Sequence, residues 1–150
     1  MSILLIQDNK KARFDYEILE VFEAGIVLVG SEVKAIREKN IQLKDAYVSF
    51  NNREAFLQNA HISPYQSSSY NNHTPERLRK LLLNRKEINE IMVKVQERGL
   101  SCVPLKIYFK KGLVKLDLAL VRGKKTHDKR ESIKSRETDR NLKQTMRKSR

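Results

Sequence analysis

Between Ser101 and Val121 the chain alternates apolar and polar residues twice, with Lys111-Gly112 between the two runs. In the first run Val103, Leu105, Ile107 and Phe109 oppose Pro104, Lys106, Tyr108 and Lys110. In the second, Val114, Leu116, Leu118 and Leu120 oppose Lys115, Asp117, Ala119 and Val121. A period of two is the signature of a half-buried strand, and a short glycine-bearing break joins two such strands as a hairpin. Two further pairs of runs read the same way: Asp45 to Phe50 with Glu54 to Ile62 around Asn51-Asn52-Arg53, and Phe14 to Phe22 with Ala24 to Gly30 around Glu23-Ala24-Gly25. Six strands paired locally predict an antiparallel sheet. One this small is expected to close into a barrel, because closure removes unpaired edges.

Helical signals interrupt the strands. Ser31 is a candidate N-cap for a short helix through Val33, Ile36 and Arg37, with Glu32 in its positive first turn. Thr74-Pro75 predicts a second helix carrying Leu78, Leu81 and Leu82. Asn84 to Glu87 reads as a capping box before Ile88, Ile91, Met92 and Val95, and Gly99 as that helix's stop. Between His61 and Thr74 lies a loop rich in serine and asparagine. No repeat of solenoid period is present.

Charge divides the chain. Basic residues number 31 and acidic ones 18, a net of +13, while 39% hydrophobic content still permits a core. Twelve basic and only four acidic residues fall between Arg122 and Arg150, a stretch whose apolar content is Ile133, Leu142 and Met146. A globular body over residues 1–121 and a basic tail over 122–150 are therefore expected. Opposite charges at helical spacing in the tail, such as Glu131 with Lys134 and Asp139 with Lys143, would support a helix only in a bound setting. So basic a balance points to a polyanionic partner, most often nucleic acid.

Catalytic and metal-binding patterns are not found. The single cysteine, Cys102, excludes an internal disulfide framework and reads as a small core residue. His61, His73 and His127 have no ligand-pair spacing, and there is no Gly-rich phosphate loop. No cofactor or metal is expected. The apolar run Ile3 to Ile6 is far too short for a membrane span or a signal core, so a soluble, cytoplasmic protein is expected. Basic clusters at Asn9 to Arg13, Lys34 to Arg37, Arg77 to Lys80 and Arg85-Lys86 could each contact phosphate. On these residues alone a shared polyanionic partner, RNA foremost, is expected, and a ribosome-associated structural RNA-binding protein or a small RNA-processing enzyme using His61 are the functions that compete.

Six strings occur in order: Asn9 to Tyr16, Phe22 to Ile26, Gly30-Ser31-Glu32-Val33-Lys34, Asn59 to Tyr65, Arg79 to Leu83, and Gly123 to Arg130. Together they closely resemble the SsrA-binding proteins, also called small protein B, over about Asn9 to Arg136. The resemblance implies a mainly β fold, an OB-type six-stranded antiparallel barrel with flanking helices, and a C-terminal tail that is helical when bound. It also implies an adaptor without catalytic activity. Such an adaptor binds the tRNA-like domain of transfer-messenger RNA and brings it to stalled ribosomes for trans-translation, with elongation factor Tu as an indirect partner. Carried over residue by residue, it implies that Glu32 supports tmRNA binding as an acceptor for a base amino group or a 2′-hydroxyl. Lys34, Asn59 and His61 would share its face, Lys10, Lys11 and Arg13 would contact phosphate, and Lys124 would be an RNA-binding lysine. In the tail, Lys125, His127, Asp128, Lys129, Arg130, Lys134 and Arg136 would meet small-subunit rRNA near the decoding centre and along the empty mRNA channel. Beyond Arg136 the likeness fades. His73-Thr74 stands where many relatives carry aspartate after the histidine, a swap between two good caps.

Overall fold

A computed structural model describes residues 3–65 and 72–123. In chain order these form β1 (Ile3–Asp8), α1 (Lys10–Asp15), β2 (Tyr16–Ile26), α2 (Gly30–Arg37), β3 (Ile41–Gln42), β4 (Tyr47–Asn51), β5 (Glu54–Gln58), β6 (His61–Ile62), β7 (Arg79–Leu82), α3 (Arg85–Arg98), β8 (Ser101–Lys110) and β9 (Leu113–Gly123). Seven strands make one antiparallel sheet in the order β1-β8-β9-β2-β7-β5-β4, while β3 and β6 pair separately as a ribbon.

The hairpin that dominates the sequence forms as expected. Lys110 pairs with Leu113 across Lys111 (φ 53°) and Gly112 (φ 77°), two left-handed residues as a type I′ turn needs. The β4–β5 hairpin uses the same device at Asn52 (φ 51°) and Arg53 (φ 61°), with Asn51 opposite Glu54. Its second strand ends at Gln58, and His61–Ile62 belong to the ribbon instead.

The third expected hairpin is absent. Residues 16–26 form one continuous strand of 11 residues, and its ladder with β9 runs unbroken through Glu23, Ala24 and Gly25. Gly25 marks a close approach, not a turn: a Cβ there would lie 3.3 Å from the Cβ of Leu82 on β7. The helix expected after Thr74-Pro75 is also absent. The segment makes a turn, with the Arg77 N–H donating to the Thr74 carbonyl, and then enters β7 between β2 and β5. Burial of Arg79 and Leu81 against exposure of Leu78 and Leu82 has the period of a strand, so pairing overrode the local cap signal. Ser31 is not the N-cap of α2 either. The helix starts at Gly30, the Glu32 carboxylate accepts from the Val29 N–H, and the Ser31 hydroxyl meets His73 Nδ1 at 2.8 Å. Because His73 Nε2 faces the Ile62 carbonyl at 2.8 Å, that nitrogen is a donor, and the ring bridges Ser31 and Ile62. The α3 signals hold at both ends, with Asn84 accepting from the Glu87 N–H and Gly99 left-handed at φ 64°.

Nor does the expected six-stranded barrel close. No alternation in the sequence announces β1, which pairs with β8 from Lys106 to Lys110. Asn9 continues along that edge, its backbone N–H donating to the Leu105 carbonyl and its side chain to the Pro104 carbonyl. The β8 edge that β4 would need for closure is thus largely occupied, and the mainly β fold is an open sheet with a seam between β4 and the start of β8. Asn9 also caps α1 by accepting from the Ala12 N–H.

The main core lies on one face of the sheet, where Phe22, Leu57, Leu81, Ile107, Leu116 and Leu118 pack with Ile36 of α2, Ile91 of α3 and the ribbon's Ile41 and Ile62. A bulge between Pro104 and Lys106 splits the alternation of β8. Ile107 therefore faces this core, while Val103 and Leu105 face the opposite side with Ala119 and Val121, roofed by Ala12 of α1.

Candidate nucleic-acid interface

The ribbon sets up the exposed chemistry. Ile41 pairs with Ile62, both buried, and Gln42 pairs with His61, both facing outward. Side chains from β1 and its exit fasten the strip that follows. Gln7 donates to the Ile41 carbonyl and accepts from the Leu43 N–H, and Asn9 donates to the Leu43 carbonyl. With Leu43 fully buried, Gln42 and Lys44 must point away from the core. Around them run two adjoining grooves. One, of about 550 Å³, is lined by Gln42, Lys44, Asp45, Asn59, His61 and Glu76. The other, of about 250 Å³, is lined by Gln7, Asp8, Asn9, Lys10, Lys11, Gln42 and Lys44. Sharing Gln42 and Lys44, they form one trough.

Of the expected body residues, Lys10, Lys11, Asn59 and His61 meet in this trough. Asn59 sits at φ 62° between β5 and β6, a left-handed position that asparagine tolerates better than most residues. Lys11 is paired with Asp45 at 2.8 Å; the hydrogen bond raises the lysine's pKa and lowers the carboxyl's. Glu76 lies 3.7 Å from His61 Nδ1 at the rim. Arg13 and Lys34 are not among the lining residues. The Arg13 guanidinium is bound to the Asp8 carboxylate, and Lys34 Nζ lies 5.5 Å from the centroid of the Tyr65 ring. Lys124, Lys125, His127, Asp128, Lys129, Arg130, Lys134 and Arg136 lie outside the described residues, as do the expected tail helix, Leu142 and Met146.

Glu32 is placed differently from expectation. It has no exposed surface. One carboxylate oxygen accepts from the Val29 N–H at 2.9 Å and Arg77 Nη2 at 2.6 Å, and the other from Arg79 Nε at 2.5 Å. Burial pushes its pKa up, but the bonds from Arg77, Val29 and Arg79 together outweigh burial and hold it below the usual carboxylate range. Arg79, also without exposed surface, donates its remaining N–H groups to the carbonyls of Ala60 (2.7 Å) and Pro75 (3.0 Å). It is thus a buried brace, not a phosphate-contacting member of the Arg77–Lys80 cluster. A direct bond from Glu32 to an external donor would require this cluster to open. What Glu32 does in the closed structure is fix Arg79, which holds the carbonyl between Asn59 and His61.

Sequence patterns alone do not single out Gln7, Gln42 and Lys44. The alternation Ile41-Gln42-Leu43-Lys44 is the available signal, too short to stand out beside the longer runs. Among the described residues, no group of three or more His, Cys, Asp or Glu side chains could hold a metal, and no helix is long and apolar enough to cross a membrane.

Fold and surface define an open antiparallel β protein carrying a lysine-rimmed polar trough. Comparison with known proteins makes the assignment specific. The family model described as SmpB protein matches residues 6–148. An SsrA-binding protein of Bdellovibrio bacteriovorus is 60% identical over 149 residues, covering 99% of this chain and 98% of its own. That of Syntrophobacter fumaroxidans is 60% identical over 138 residues, covering 92% and 86%. A solved chain described as "tmRNA-SmpB: a journey to the center of the bacterial ribosome" superposes with a TM-score of 0.69 at 44% identity, covering 85% of this chain and 93% of that one. The chain belongs to the SmpB family.

Proposed function

We propose that this chain is the RNA-binding adaptor of trans-translation, which binds transfer-messenger RNA through its tRNA-like domain and brings it to stalled ribosomes. Family membership over residues 6–148 supports the RNA and the ribosome as partners. The observation that carries the body's part in it is the convergence of Lys10, Lys11 and Lys44 with Gln42, Asn59 and His61 in one trough. Ammonium groups neutralise phosphates, while the amide and imidazole groups donate to or accept from sugar hydroxyls and base edges.

Glu32 serves this surface from below: through Arg79 it fixes the Ala60 carbonyl and so the presentation of Asn59 and His61. Arg13 and Lys34 add phosphate contacts at the flanks, and Lys124 is a further RNA-binding lysine. From Lys125 to Arg136 the tail meets small-subunit rRNA near the decoding centre and in the mRNA channel. Elongation factor Tu joins through the RNA, and the protein acts in the cytoplasm. Neither step needs a group of this chain to make or break a covalent bond.

The test is capture from a lysate by the full chain, followed by direct titration with the isolated tRNA-like domain. Strong enrichment of transfer-messenger RNA over bulk rRNA is the expected outcome. Equal capture of both would favour a general ribosome-associated RNA-binding protein.

A further inference from the structure

The seam that keeps the sheet open is a cleft of about 360 Å³. On one side runs β4, whose only ladder partner among the described residues is β5. The end of α1, the first residue of β2 and residues 101–103 of β8 line the other. Val48 and Cys102 give it buried apolar lining, and Lys11, Lys44, Asp15 and Asp45 supply charge. Two tyrosines complete it, Tyr16 at the start of β2 and Tyr47 on the edge strand, the latter 41% exposed. Lys11 and Lys44 line both this cleft and the trough, so the two surfaces are continuous.

We propose that the seam cleft receives a single unstacked nucleobase of the bound RNA, with the Tyr47 ring as its stacking face. This rests on the RNA-binding reading above and assigns it a base-binding subsite. The chemistry selects the occupant. A bare anion would use the lysines and leave the ring and apolar lining idle, whereas an apolar ligand would strand the ammonium groups. A nucleotide uses both: its base has a π-face for Tyr47, and its flanking phosphates fall to Lys11 and Lys44. The volume lies within the range of small-ligand pockets. Residues of the folded sheet and of α1 line the cleft, so little order has to be gained on binding. Asp15 and Asp45 are acceptors, which favours a base with an exocyclic amine over uracil.

The chain has no tryptophan, so Tyr47→Trp introduces a single reporter. Its fluorescence should be quenched by the isolated tRNA-like domain, and at higher concentration by AMP, CMP or GMP more than by UMP. In parallel, Tyr47→Leu should weaken binding of the tRNA-like domain roughly 5- to 100-fold, with the salt dependence unchanged, and Tyr47→Phe should stay within about twofold of the parent. An unquenched indole in a Tyr47→Trp complex that forms normally would overturn the subsite and leave the RNA reading intact. A Tyr47→Leu variant that is folded yet binds like the parent would do the same. If the parent chain fails to bind the RNA at all, both readings fall.

Discussion

The Glu32 carboxylate and the Arg79 guanidinium meet at 2.5 Å, and neither side chain keeps any exposed surface. A buried ion pair recovers its desolvation cost only while both partners are present. Glu32→Ala should therefore lower unfolding free energy by about 3–5 kcal/mol, chiefly because Arg79 is left charged and unpaired. Replacing both, as Glu32→Met with Arg79→Met, should recover much of that loss in urea denaturation. The same double variant should still bind RNA weakly, since nothing then holds the Ala60 carbonyl between Asn59 and His61. Full RNA affinity in the double variant would remove Glu32 and Arg79 from any positioning role.

Acid should weaken this pair only once pH falls below the ordinary carboxylate value. The folded pKa of Glu32 lies below its ordinary value of about 4.3, so folding favours the ionised form. Its stabilising contribution is complete above that ordinary value and is lost as pH falls through the lower folded one. The difference in stability between the parent and Glu32→Gln should accordingly narrow as pH is lowered from neutrality past that ordinary value. A gap that widened on acidification would contradict the assigned direction.

Salt should separate the lysines of the trough from the groups that position them. Lys10→Ala and Lys44→Ala should each weaken RNA binding across sequences and reduce the slope of log K against log salt by about one phosphate's worth. Lys11→Ala should cost more affinity than either, because it also exposes the Asp45 carboxylate, now bonded at 2.8 Å, to the phosphates. Parent-like affinity in all three variants at low salt would dissociate the trough from RNA.

Long periodic runs are legible in the sequence, and short or tertiary features are not. The β8–β9 hairpin can be read because its period-two runs and the Gly112 turn agree. Gly25 has the local look of a turn residue, but its cause is Leu82 on a strand distant in sequence, which no local pattern records. Thr74-Pro75 offers a sound cap for a helix that loses to pairing with β2 and β5. The site divides along the same line. Composition and motif pick out Lys10, Lys11, Asn59 and His61, but the burial of Glu32 depends on Arg77 and Arg79, which lie 45 and 47 residues away. Lys44 joins the trough only because Gln7 and Asn9 pin the neighbouring backbone.

The hairpin turn should be improvable. Lys111 holds φ 53° before Gly112, a conformation that costs a lysine more than an asparagine. Lys111→Asn creates the Asn-Gly pair that type I′ turns prefer. It should raise stability by roughly 0.5–1 kcal/mol, seen as a higher denaturation midpoint with unchanged slope. A lower midpoint would show that Lys111 contributes something the turn geometry does not.

Cys102 should report the opening of the seam. The residue is 2% exposed, pairs with Leu120 in the β8–β9 ladder and lies in the main core, where burial pushes its thiol pKa up to about 12. Since the thiolate is the nucleophile, the native thiol should resist alkylation at mildly alkaline pH, and labelling should follow the population of open molecules. The unfolded thiol ionises near its ordinary value of about 8.5 and the folded one only near 12, so the unfolded state releases its proton first as pH rises. Stability should fall with pH over that interval, and Cys102→Ala should flatten the decline. If the cleft binds a base as inferred, RNA at a concentration that saturates the parent should slow Cys102 labelling there and slow it less in Tyr47→Leu. Rapid labelling of the free, folded parent would show that the seam opens far more readily than its packing implies.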